Sequence, residues 1–223
     1  MKLKLSLLAA VGLAFAAMGL LAFNASAEQQ VLSPVYWFED TVQTPGTEVP
    51  GAYSTLLRSS QGVTANMHTS GLIPGHAYTF WWVLFNEPSG CNADGCGVDD
   101  VVAALGSGSN PANIGVIRGG GGVVGASGKF NVGASLAEGS TAGCQSSIPF
   151  VLMCNALVDA SKAEIHLVLH DHGPVIAGQL REQIGSFEGG CKNFIHGPSG
   201  SENVAYGLGT YECFSPQASP HQP

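Results

Sequence analysis

Glycine interrupts almost every stretch of this chain that is long enough to form a helix, with 31 glycines in 223 residues. A glycine inside a helix costs about 1 kcal/mol relative to alanine, so this spacing disfavours long helices wherever it occurs. Between the glycines lie short runs of β-branched and aromatic residues closed by Gly and Pro turns, which is the composition of strands. Val63 to Thr69 and His76 to Asn86 read as strands joined by the turn at Pro74-Gly75. Val123 to Ala126 and Lys129 to Leu136 read as a hairpin about Ser127-Gly128, and Glu164 to His170 and Asn203 to Phe214 as further strands. Short helices are expected at Asp99 to Leu105 and Gln179 to Ile184. The predicted fold is therefore all-β over residues 28–214: one antiparallel β-sandwich, immunoglobulin-like or jelly-roll-like, with a few short helices, and a β-barrel as the alternative. The end, "SPQASPHQP" (215–223), has three prolines in nine residues and no apolar period, and reads as a disordered tail.

The chain begins with Lys2 and Lys4, continues through an apolar stretch from Leu5 to Phe23, and reaches the small-residue triplet Ala25-Ser26-Ala27. That order is a secretory signal peptide over residues 1–27, with cleavage before Glu28 and no integral membrane anchor. The expected location is extracellular or periplasmic. The remaining chain carries 6 Lys+Arg against 16 Asp+Glu, a formal charge of −10, which repels phosphate backbones and argues against nucleic acid as a partner. All six cysteines follow the leader, and an even number in an exported chain reads as disulfides. Each of the pairs Cys91–Cys96, Cys144–Cys154 and Cys191–Cys213 brackets a Gly-, Asn- or Ser-rich turn, so this nested-local pattern is the predicted one.

The segment "IHLVLHDHGP" (Ile165 to Pro174) holds three of the seven histidines. In a strand, His166, Val168 and His170 share one face and Ile165, Leu167 and Leu169 the other, and His172 keeps the parity if the strand continues. Two imidazoles two steps apart can meet on one ion, with Asp171 or Glu164 as an orienting carboxylate or a fourth ligand. Zinc and copper both suit imidazole. The candidate metal ligands are His166 and His172, with His76, His170 and His68 as further members; the opposing reading is ordinary strand histidines.

Other chemistry is weaker. "GGVVGASGKF" lacks the phosphate-loop glycine at Val123 and has Phe130 where a magnesium-binding hydroxyl belongs. "GPSGS" around Ser199 is not a nucleophile elbow. Asn92, Asp94, Asp99 and Asp100 offer an irregular calcium loop, although Cys96 and Ala103 occupy positions where a helix-loop-helix calcium site needs oxygen ligands. Tyr78, Trp81 and Trp82 are candidates for stacking on a carbohydrate or a protein ligand, against the commoner fate of core packing.

"SGLIPGHAYTFWWVLFNEPSGC", "ASLAEG", "AEIHLVLHDHGPV" and "EGGC" resemble segments of a family of uncharacterised exported bacterial proteins, over most of Thr64 to Cys213. The resemblance implies a shared β-rich extracellular domain and no activity. It also implies that the positions of His166 and His172 recur, whereas the position of His170 is often arginine, which favours the first two as ligands.

Overall fold

The computed structural model describes residues 29–38, 46–92, 95–144, 153–195, 203–205 and 211–223. The signal segment 1–27, Asp94 and His196 lie outside the described residues. Among the described residues, ten strands follow in chain order: β1 Gln29–Trp37, β2 Glu48–Ser59, β3 Gly62–Thr69, β4 His76–Phe85, β5 Ile114–Val123, β6 Phe130–Ala137, β7 Glu164–Pro174, β8 Cys191–Ile195, β9 Asn203–Ala205 and β10 Tyr211–His221. The two α-helices among these residues are short, α1 at Val98–Ser107 and α2 at Leu180–Gln183. The fold is all-β, as the glycine spacing predicts.

The main path of the sheet runs β5-β4-β7-β10-β1-β2-β3-β6, with β8 paired to β10 and β9 to β8. Every pair along that path is antiparallel. The sheet curls until its two end strands face each other, so of the two arrangements considered the protein adopts a nearly closed barrel. The glycine run of β5 makes this approach possible. A Cβ on Gly119 would lie 2.6 Å from Phe80, 2.8 Å from Trp82 and 3.0 Å from Ala134 of β6, so only hydrogen fits between the aromatic interior and the closing strand. The stretch that loosely resembles a phosphate loop, residues 121–130, is the end of β5, the turn that follows and the first residue of β6. β5 and β6 close the barrel without a ladder, rather than as the expected hairpin.

Two apolar cores result from the alternation of β4 and β7. Tyr78, Phe80, Trp82 and Leu84 join Ile165, Leu167 and Leu169 inside the barrel, with Leu56, Ala65, Met67 and Leu136 from the far wall. Trp81 and Phe85 point outward and build a second core with α1, Phe187, Cys191 and Cys213. Tyr78, Trp81 and Trp82 are each about 1% exposed or less, so none offers a stacking surface; they pack the two cores instead.

Two sequence readings change. β3 and β4 are joined by the Pro74-Gly75 turn but do not pair, because β3 lies between β2 and β6 while β4 lies between β5 and β7. The expected disordered tail is the second half of β10, between β7 and β1. Its inward residues Gln217, Ser219 and His221 are polar and fully buried, so a search for apolar alternation does not find them. The prolines are accommodated in two ways. A bulge between Phe214 and Gln217 takes Pro216, and side-chain hydroxyls stand in for ladder bonds along the β1–β10 junction. Ser33 Oγ donates to Pro220 O at 2.7 Å, and Ser219 Oγ donates to Pro34 O at 2.6 Å.

Candidate metal centre

β7 continues past His170 to Pro174, so His170 and His172 keep the outward parity without any turn between them. Both are at most 1% exposed, and their rings meet edge to face with centroids 4.6 Å apart. The turn at Phe187–Gly190 covers them, and Cys191, which opens β8, is bonded to Cys213 of β10 directly beneath. The ligand atoms of His170, His172, Cys191 and Cys213 all lie within 4.8 Å of one another. Cys191 Sγ is 3.8 Å from His172 Nδ1 and 4.0 Å from His170 Nε2.

Hydrogen bonding fixes the proton on each ring. His172 Nδ1 donates to Gly189 O at 2.7 Å and His170 Nε2 donates to Phe187 O at 3.0 Å, because a carbonyl can only accept. His172 Nε2 is consequently an acceptor, and Thr79 Oγ donates to it at 2.7 Å while itself accepting from Trp81 Nε1 at 2.6 Å. Burial holds the His172 imidazole down to about 4, with the charge of Arg118 acting in the same direction, so the ring is neutral at physiological pH. Neutral imidazole is the form that ligates metal. Phe187 also stacks on His170 at 4.0 Å, enclosing the cluster in an apolar shell.

The other candidate ligands are elsewhere. His166 faces outward near the start of β7, paired with Glu164 at 2.7 Å and edge-on to Phe85. His68 is at the surface of β3, bonded to Asn131 at 2.9 Å and packed on Tyr53. His76 opens β4, and its Nδ1 is 3.1 Å from both oxygens of Asp171. Asp171 points inward, opposite in parity to His170 and His172, so it does not orient them. It also accepts from Tyr78 Oη at 2.9 Å and from the backbone of Gly173 at 2.7 Å. Burial, then the charge of Asp171, pushes the Tyr78 and Tyr211 phenols well above their usual range. A single site shared by His166, His172 and His76 is therefore corrected: distance along β7 separates His166 from His172, and His76 bonds the inward Asp171 on the other side of the barrel wall.

Calcium fares no better around α1. Asp100 Oδ1 accepts from the backbone of Asn92 and Oδ2 from that of Gly97, both at 2.9 Å, so this carboxylate caps α1 and ties it to the Cys91–Cys96 loop. The three disulfides pair as their spacing predicts. What the sequence does not reveal is that Cys191 and Cys213 lie beside two histidines. Its one signal is that "GGC" follows the histidine segment at the distance of a short excursion back onto β7.

His221 is also buried, but inside the barrel. Ser219 spends its proton on Pro34 O, so it accepts from Ser54 at 2.7 Å, and Ser54 in turn accepts from His221 Nε2 at 2.7 Å. Arg58 spans the same end of the barrel, donating to Ala160 O, to Ala163 O at 2.9 Å, to His221 O at 3.4 Å and to Gln222 O at 2.9 Å.

Fold and site together define a disulfide-bonded β-barrel protein with a buried His/Cys cluster that can hold a metal ion. No protein-family model matches the chain, and no curated protein or solved structure matches it. No helix among the described residues is long and apolar enough to cross a membrane.

Proposed function

We propose that the protein is an exported, disulfide-stabilised β-barrel that binds a transition-metal ion, zinc or copper, through His170 and His172. The observation that carries this reading is the convergence of two buried imidazoles and two sulfurs within 4.8 Å. Nitrogen and sulfur donors of this kind select zinc and copper over magnesium or calcium. Three disulfides support export, since such bridges persist in oxidising compartments.

The test is the metal content of untagged protein, reduced at Cys191 and Cys213 and then incubated with zinc or copper, compared with the His170→Ala, His172→Ala and His166→Ala variants. Binding is expected to fall at least about tenfold in the first two and to stay unchanged in the third, which sits apart from the cluster. Equal metal in all four forms contradicts the assignment.

A further inference from the structure

Resting on that metal reading, we infer that the site is a zinc centre of two thiolates and two imidazoles, and that the Cys191–Cys213 disulfide is its closed state. Around a tetrahedral zinc, ligand atoms stand about 3.3 to 3.8 Å apart, which follows from zinc–nitrogen and zinc–sulfur bonds of about 2.0 and 2.3 Å. Cys191 Sγ already lies 3.8 and 4.0 Å from the nearest histidine nitrogens, so small movements complete the shell. Sulfur in a disulfide is not a thiolate, and thiolate is the form that ligates. Bridge and metal therefore exclude each other.

The histidines are held in a matching closed state. The nitrogens that face Cys191 are the ones carrying protons, donated to Phe187 O and Gly189 O from one turn. Binding metal through those atoms requires each ring to move its proton to its other nitrogen. His172 Nε2 then faces Thr79 Oγ as a donor, and His170 Nδ1 lies 3.4 Å from Ser215 Oγ. A dithiol reductant supplies the electrons: it transfers two electrons to the Cys191–Cys213 bond and becomes a disulfide. The protein thiolates bind one zinc ion, and the two thiol protons of the reductant pass to solvent. Oxidation runs the exchange backwards and expels the metal. With two thiolates and a tetrahedral arrangement, zinc fits better than copper(II), which prefers tetragonal nitrogen and oxygen ligands.

The experiment uses the mature full chain, zinc chloride and a phosphine reductant. Thiols are counted by alkylation and mass, the fold is followed by tryptophan emission, and zinc is measured after gel filtration. The expected result is about one zinc per chain when Cys191 and Cys213 are reduced, and below about a tenth of that when they are bridged. Equal zinc in both states overturns the gating and leaves the metal reading standing; zinc in neither state overturns both. If the buried bridge resists the reductant in the folded chain, reduced and denatured protein is refolded with and without zinc. Zinc-dependent refolding supports the proposal, whereas refolding to a zinc-free barrel, or no refolding with zinc, overturns it. The Cys191→Ala, Cys213→Ala double variant is expected to lose zinc binding, and retention at wild-type affinity overturns sulfur ligation.

Discussion

His172 and His221 are both about 1% exposed, and burial holds both imidazoles down to about 4, yet their surroundings differ in kind. His221 points into the barrel, where its Nε2–H donates to Ser54, Ser54 donates to Ser219, and the Arg58 guanidinium lies close by. His172 points out of it, against sulfur, a threonine and a backbone carbonyl. A neutral histidine beside a fixed cation is a poor place for a metal ion, because a second positive charge would be buried next to the first. At His172 the charge of Arg118 ranks behind both burial and the Gly189 hydrogen bond, so the penalty beside sulfur is smaller. Depth of burial alone does not mark a site; the charge of the neighbours decides it.

The comparison can be broken first at Arg58. The Arg58→Ala variant leaves four backbone carbonyls without their charged donor and is expected to lose about 4 kcal/mol of stability, read as a fall in the urea midpoint. Zinc uptake by the reduced chain should be unaffected wherever the variant remains folded.

Acid tests the inner histidine almost as strongly. His221 has a folded-state value of about 4 against an ordinary value of 6.5, so the unfolded chain takes up its proton first. Stability from this group is complete above about pH 6.5 and is lost as pH falls toward 4, by about 3 kcal/mol. Urea titrations across that range should show the slope, and His221→Gln should reduce it by about half, because His172 carries a similar shift. An unchanged slope in that variant would remove His221 as its source.

At the outer site, replacing both Cys191 and Cys213 by alanine removes a closed loop with a sequence separation of 22, which costs about 3 kcal/mol by chain entropy. Loss of Cys91–Cys96, with a separation of 5, is expected to cost about 2 kcal/mol on the same argument. Thermal melts of the two double variants give the ranking. The smallest expected effect is at Thr79. Thr79→Val strands His172 Nε2 and Trp81 Nε1, a loss of about 1 to 2 kcal/mol, and an effect near zero would show that the relay through the hydroxyl is not needed.

The sequence reads well where its pattern is apolar and poorly where it is polar. Glycine spacing and β-branched runs locate β3, β4 and most of β7, and the cysteine spacings give all three bridges. The inward row Gln217, Ser219 and His221 is a strand face without an apolar residue, so β10 looks like a tail. The same limit affects the site. Strand parity correctly puts His170 on a face with His172, but parity also admits His166, whose partner Glu164 and distance along β7 are matters of packing. His76 and His68 flank one turn in sequence and yet stand on strands separated by the curl of the sheet, a long-range consequence that local spacing does not carry.

The ligand set of the zinc centre is read by X-ray absorption spectroscopy at the zinc edge on reduced protein loaded with about one zinc per chain. The account predicts a four-coordinate shell of two sulfurs at about 2.3 Å and two imidazole nitrogens at about 2.0 Å, with the nitrogen contribution lost in a His170→Ala, His172→Ala double variant. A shell of oxygen and nitrogen alone, or one unchanged in that variant, would contradict it.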